Sequence, residues 1–430
     1  MRLRLGLAGS AAAATAAVLL FGGALRAGDD VRAEAPAASA PAAAAARLED
    51  GFAGGDTASL VAQLEGRAAD TTSLTLLGLA YQQRARETGD PDFYGPAERA
   101  LERALRLDPD HAPAVRALAS LAATRHRFDE ALALARRARR LEPHNAAAYG
   151  IIGDASLELG RYDEAFAAFE RQMELKPTVS AYARVSYARE LLGDLPGAIA
   201  AMEFAVDAAA STREPAAWSR VQLGNLHVSA QRFDRATQLY HEALGLVPEY
   251  APANAALAAL AVARGDGDRA ATLYRRALAV APDPGAAAAL GDLLAAAGDG
   301  DGAQRAWERA EELEAAFARN GGRNQLETAL FDLDHDRNLA DALARAREGY
   351  RLRPSIEGAH VLARALYKNG RCAEALRYSR EALRLGTPDV GALFDLARIQ
   401  RCLGKHAAAE RTLARVHALD PHGLDLPPDA

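Results

Sequence analysis

Three short runs in this chain have the residue types and spacing that could do chemistry. His241-Glu242-Ala243-Leu244-Gly245 begins like a zinc-protease helix, in which two histidines four residues apart hold the metal and the glutamate acts as base, yet Gly245 stands where the second histidine belongs. Asp332-Leu333-Asp334-His335-Asp336 alternates carboxylates as a calcium loop does, but Arg337 replaces the glycine of the sharp turn and Leu343 the bidentate glutamate. Gly265-Asp266-Gly267-Asp268 and Gly298-Asp299-Gly300-Asp301-Gly302 imitate phosphate-cradling loops with no strand pattern before them. Arg264-Gly265-Asp266 spells an adhesion tripeptide at the same kind of turn. The histidine run lacks its second ligand and the acidic and glycine-rich runs read as turns between helices, so no catalytic residue, metal site or cofactor is expected.

The elements that hold these turns follow a rhythm of alanines: Ala97, Ala131, Ala165, Ala198, Ala236, Ala270, Ala303, Ala342, Ala375 and Ala409. Seven of the nine intervals between them are 33 or 34 residues, a period that marks stacked helical hairpins too small to bury their apolar faces alone. Twelve residues before most markers stands a small residue after an aliphatic one, as in Leu118-Ala119, Ile152-Gly153 and Leu223-Gly224. Small residues there let two helix axes approach closely. Seven residues after the marker comes a second small residue, such as Ala104 or Ala243, and five further on the second helix stops at Pro109, Pro143, Pro177, Pro248, Pro282, Pro354 or Pro421.

These residues resemble the tetratricopeptide repeat family in their order of Leu-Gly, Gly-x-Tyr, Ala, Ala and Pro. Ile152-Gly153, Gly160-Arg161-Tyr162, Ala165, Phe169 and Pro177 make the best single match, with Gln172 in place of the second alanine. The resemblance covers about residues 57–425 and implies an all-α, right-handed superhelical solenoid of about ten hairpins. It also implies a non-catalytic protein- or peptide-binding scaffold that uses the concave face, which the first helix of each hairpin lines. An envelope receptor for a small anionic ligand or glycan is the alternative reading.

By analogy with that family, the inward positions of units four and five are Arg184, Tyr187, Trp218, Gln222 and Asn225. In units nine and ten they are His360, Arg364, Tyr367, Lys368, Phe394, Arg398 and Arg401. The second set clusters cations with aromatic rings, which suits a protein or an acidic extended peptide. The family's clamp for a peptide carboxyl terminus is not reproduced, Asn225 being a partial echo.

Departures from the rhythm mark the irregular units. The intervals of 38 and 39 follow units whose helix-ending proline is replaced by Ala210 and Ala315. The second helices are expected to run on through Ala208-Ala209-Ala210 and Glu314-Ala315-Ala316, with bends near 211–216 and 316–324. In the first unit 87–93 is an insertion, and in the eighth Leu330 occupies the small site unless the register slips to Ala329.

A formal net charge of -6 argues against nucleic acid as a partner, because neutralising phosphates takes a concentrated basic face. Arg2 and Arg4 precede an uncharged stretch from Leu5 to Leu25, and Gly22-Gly23-Ala24 offers a small-x-small cleavage site. A signal peptide over 1–24 is expected, with an uncleaved membrane anchor as the competing reading. An Ala/Pro-rich linker follows over 25–56. Either way the repeats lie outside the cytoplasmic membrane, and the chain resembles exported bacterial members of the family.

Cys372 and Cys402 fall toward the turn edge of adjacent units. They can pair in an oxidising compartment or remain two buried thiols. The second reading is favoured, since a small buried residue often has no partner.

Overall fold

The computed structural model describes residues 57–209 and 212–421 of the 430. The signal peptide or anchor and the linker expected over 1–56 therefore lie outside the described residues. Among the described residues no helix is long and apolar enough to cross a membrane.

A short helix, α1 (Thr57–Leu64), leads into ten helical hairpins. The first four are α2 (Thr71–Thr88) with α3 (Tyr94–Leu107), α4 (Ala112–Thr124) with α5 (Phe128–Leu141), α6 (Ala146–Glu158) with α7 (Tyr162–Leu175), and α8 (Val179–Leu191) with α9 (Leu195–Ala208). The middle three are α10 (Arg213–Ser229) with α11 (Phe233–Leu246), α12 (Ala251–Ala263) with α13 (Gly267–Val280), and α14 (Pro284–Ala296) with α15 (Gly300–Arg319). The last three are α16 (Gln325–Asp334) with α17 (Leu339–Leu352), α18 (Ile356–Lys368) with α19 (Cys372–Ala382), and α20 (Val390–Cys402) with α21 (His406–Leu419). Each hairpin packs on the next, giving the expected all-α solenoid.

The alanine rhythm has a direct physical basis, because every one of the ten marker alanines is at most 1% exposed. They sit where the two helices of a hairpin cross. The small site twelve residues earlier makes room for the side chain four residues after the marker. A Cβ at Gly153, Gly224 or Gly291 would collide with the ring of Phe169, Tyr240 or Trp307 respectively. Side-chain caps then set where helices begin: Asn145, Thr178, Asp283, Ser355 and Asp389 each accept from a backbone N–H in the first turn of the helix that follows.

The irregular units resolve individually. In the first unit the 87–93 insertion extends α2 to Thr88 and adds a 3-10 turn at Pro91–Phe93. In the eighth the register slips as the alternative required, with Ala329 fully buried and Leu330 only partly so. The two long intervals use their extra residues differently. α15 runs on to Arg319 as expected, whereas α9 ends at Ala208 and Arg213-Glu214-Pro215 start α10. Proline at the first turn lacks only an amide that has no intrahelical partner there, so the run-on goes to the following helix.

The solenoid winds tightly enough to touch itself. In each of the first four units the turn between its helices meets the connection that leaves the unit five further along. Gly89 lies against Pro282, and from the next connection along Asn320 donates to Asp92 at 2.7 Å. Arg323 donates its backbone N–H to the Arg125 carbonyl at 3.0 Å and pairs with Asp129 at 2.8 Å. His126, left-handed at φ 55°, donates from Nδ1 to the Arg323 carbonyl at 3.0 Å. Ile356 N–H donates to the Tyr162 hydroxyl at 2.7 Å, and Thr387 Oγ1 donates to the Leu191 carbonyl at 2.5 Å. Gly160, at φ 68°, admits the Pro354 carbonyl where any Cβ would collide.

Buried at the centre of this seam is Arg353. Its guanidinium reaches Glu158 at 2.5 Å, Glu327 at 2.6 Å and Glu357 at 2.6 Å. Glu158 belongs to the third unit and the other two carboxylates to the eighth and ninth, so one side chain ties successive superhelical turns together. By contrast, the junction between α15 and α16 is the sparsest in the stack. Polar bridges span it: His335 with Asp292 at 2.8 Å, and Arg337 with Glu311.

The two cysteines correct the reading favoured from the sequence. Cys372, first in α19, and Cys402, last in α20, form a disulfide with Cα atoms 6.3 Å apart, and it fastens the last unit to the ninth.

Candidate functional site

Helical spacing gathers the inward positions of the last two units. His360, Arg364, Tyr367 and Lys368 lie at i, i+4, i+7 and i+8 of α18, and Phe394 and Arg398 at i and i+4 of α20, so each set shares a face. The guanidinium of Arg398 sits 5.0 Å from the Tyr367 ring centre and 5.7 Å from that of Phe394. It also donates to the Tyr367 hydroxyl at 3.4 Å. Arg401 points elsewhere, pairing with Glu410 of α21 at 2.8 Å and standing well exposed.

The expected row of groove cations is paired within the chain. Arg364 is 4% exposed and binds Asp334 at 2.6 Å, with Asp395 at 3.8 Å. Lys368 donates to the Leu333 carbonyl at 2.7 Å and to Asp336 at 2.8 Å. His360 Nε2 meets Asp395 at 3.0 Å. A nearly buried carboxylate, Asp395, thus lies among His360, Arg364 and Arg398, and these neighbours hold it below its usual range against the upward push of burial.

Asp334 and Asp395 were missed because the family analogy counts inward positions and not their counter-ions. The available signal was spacing: Asp334 and Arg364 stand 30 residues apart on consecutive first helices, as do Asp154 and Arg184.

The set in units four and five does not line an open groove. Arg184, 1% exposed, makes a bidentate pair with Asp154 at 2.8 and 2.6 Å. Trp218, also 1% exposed, is a core side chain packed in one cluster with Val179, Met202 and Leu223. Gln222 is buried, Tyr187 packs partly buried against the same cluster, and Asn225 accepts from the Tyr240 hydroxyl at 2.8 Å. Packing between adjacent units takes Arg184, Trp218 and Gln222 out of solvent and leaves Tyr187 and Asn225 partly buried.

His360 gives the site a pH dependence of definite sign. Burial lowers its pKa, but the hydrogen bond to Asp395 and the charges of Asp389 and Asp395 outweigh that and the repulsion of Arg364, so it stands above the ordinary 6.5. A raised imidazole pKa contributes stability that is complete below the unfolded value and fades as pH rises through the folded one. The stability difference between the native chain and His360→Gln is therefore expected to be larger at pH 6 than at pH 9, measured by urea unfolding at both. A gap that is constant or grows with pH contradicts the assignment.

Family models of the tetratricopeptide repeat match residues 93–140, 116–179 and 360–423, and a second such model matches 227–293. Among solved structures, a thermophilic TPR protein of Thermus thermophilus is 21% identical, covering 45% of this chain and 98% of its own, with a TM-score of 0.39. A human IFIT1 dimer with PPP-AAAA is 16% identical over 74% of this chain and 73% of its own, at a TM-score of 0.46. Yeast Tom70 is 13% identical over 84% and 92%, at 0.39. No curated protein matches the chain. The matched segments fall on hairpins in the register set by the ten buried alanines and together span more than half of the sequence, and the chain belongs to the tetratricopeptide repeat family.

Proposed function

We propose that the protein is a non-catalytic scaffold that binds a protein or an extended peptide at the inner ends of α18 and α20, outside the cytoplasmic membrane. The observation that carries this reading is the Tyr367–Arg398–Phe394 cluster. An arginine held between two partly exposed rings, against a buried aspartate, has the composition of an interface hot spot. The ion pairs behind it fix the rings and the guanidinium before a partner arrives, which lowers the ordering cost of binding.

Asp334, Asp336 and Asp395 offset the neighbouring cations, so the surface favours a partner offering apolar contact and hydrogen bonds over one that is simply acidic. The outward location is supported by the charged start and uncharged stretch of the N-terminus and by the Cys372–Cys402 bond, which persists in oxidising compartments.

Crosslinking of the full chain in its native envelope, followed by mass spectrometry, identifies the partner to test. Tyr367→Ala with Arg398→Glu is expected to weaken that complex by about tenfold or more, roughly 1.4 kcal/mol, with the helical circular dichroism unchanged. Unchanged affinity overturns the reading. So does a thermal shift with a small anion or glycan in a chain that holds no protein partner.

A further inference from the structure

The two oxygens of Asp395 are unequally used. Oδ2 is engaged, meeting His360 Nε2 at 3.0 Å and Arg364 Nε at 3.8 Å. Oδ1 is buried without a hydrogen bond, and Nη1 of Arg398 stands 3.9 Å from it. A buried acceptor without a donor is costly, so this oxygen pulls on the guanidinium. The rings pull the other way: Arg398 lies 5.0 Å from the centre of Tyr367 and 5.7 Å from that of Phe394, and its Nε donates to the Tyr367 hydroxyl at 3.4 Å. Asp395 and Arg398 are three residues apart on α20, one turn of helix. A side-chain movement of about 1 Å brings Nη1 within hydrogen-bond range of Oδ1 without moving the backbone.

We infer that His360 is the switch of this surface: while its imidazole carries a proton Arg398 stays between the rings and faces a partner, and when the proton leaves Arg398 closes on Asp395 Oδ1 and is withdrawn. The imidazolium and the Arg364 guanidinium together offset the Asp395 carboxylate. Arg364 is itself shared with Asp334 of α16 at 2.6 Å, so a neutral imidazole leaves Asp395 with less than one full counter-charge. Arg398 is a cation within reach that restores it. Asp395 is 2% exposed, and at such a site water does little to damp the change.

The other charges around His360 set where the proton leaves. Asp389, which caps α20, favours the imidazolium, and Arg364 on its own helix opposes it. Glu357, three residues earlier on α18, is held by Arg353 from the end of α17 at 2.6 Å, and Glu381 of α19 accepts from the Tyr350 hydroxyl. With the hydrogen bond to Asp395 these place the imidazole above its ordinary 6.5, so Arg398 is presented at neutral pH and withdrawn as pH rises.

This inference rests on the reading of the cluster as a binding surface, and its first test needs no partner. In the full chain with isotope-labelled tyrosine and histidine, the Tyr367 ring resonance, assigned by Tyr367→Phe, is expected to shift between pH 6 and pH 9 with the midpoint of His360. His360→Gln keeps a hydrogen-bond donor and removes the titration, and is expected to abolish the shift. Arg398→Gln is expected to abolish it while His360 still titrates. A Tyr367 resonance that stays still through the His360 midpoint overturns the inference. So does a shift of undiminished size in Arg398→Gln, which signals that the ring senses the imidazole charge directly. Against the partner captured by crosslinking, affinity is expected to fall about threefold from pH 6 to pH 9 and to stay level in His360→Gln. Equal pH dependence in the two chains overturns the inference. A Tyr367 shift lost in both variants, in a chain that holds no protein partner, upholds the switch and overturns the binding surface.

Discussion

Arg353→Met is expected to destabilise the folded chain by about 3 kcal/mol and to enlarge its radius of gyration at neutral pH, because the one side chain removed leaves three carboxylates facing one another at the seam. Methionine keeps the apolar stem of the arginine and stops short of its guanidinium, so the loss is mainly of charge and hydrogen bonding. The figure is at the lower end of what breaking a buried ion pair costs, since Glu327 and Glu357 are each 30% exposed and can recover some hydration.

The pH dependence of that loss identifies its cause. Burial pushes the Glu158 carboxyl up, to about 7, against the opposing pull of the Arg353 charge and hydrogen bond. Without the guanidinium only the upward push remains, and Glu158 takes a proton more readily. The penalty of Arg353→Met should therefore be greatest above pH 8 and shrink toward pH 5, as protonation relieves the uncompensated charge. Scattering at both pH values reports the opening, and unfolding curves report the energy. A penalty that is flat with pH, or a radius of gyration that does not change, would show that the seam is held by backbone contacts such as Ile356 with Tyr162 and that the ion cluster is incidental.

How much of this was legible from the sequence depended on the range of the interaction. The hairpins were legible because a period near 34 is imposed by a local demand, the burial of one alanine where two helices cross, and each repeat states it again. The winding was not legible. It accumulates from small rotations between neighbours, and its contacts join residues 193 to 228 apart, a separation that nothing within a single repeat states.

Glu158 and Arg353 show why: each lies at the end of a helix among other charges, where solvation is the ordinary expectation, and only the superhelical pitch buries them together. The candidate site was legible up to the same point. Family analogy located Arg364, Tyr367 and Arg398 together on the inner ends of two helices, but the counter-ions Asp334 and Asp395 and the burial of Trp218 follow from how tightly the inner face closes.

Replacing both cysteines by serine is expected to cost about 3 to 4 kcal/mol, and to cost it in one place. The bond between Cys372 and Cys402 closes a separation of 30 residues, and the chain-entropy account of a loop that size gives this magnitude. In a globular domain the loss would spread over the whole fold. Among the described hairpins the tenth packs on the ninth, to which this bond fastens it, so its loss falls on the end of the stack. Hydrogen exchange in the double serine variant should therefore quicken along α20 and α21 and leave the second and third units unchanged.

The native chain under a reductant should behave in the same way, which separates the covalent bond from any effect of serine in a site where Cys372 is 5% exposed. Two alkylatable thiols in the non-reduced native chain would remove the bond from the account. Because Arg398 and Phe394 are carried on α20, the same fraying should weaken any partner held by the Tyr367–Arg398–Phe394 cluster, so that the redox state of one bond sets the order of the binding surface beside it.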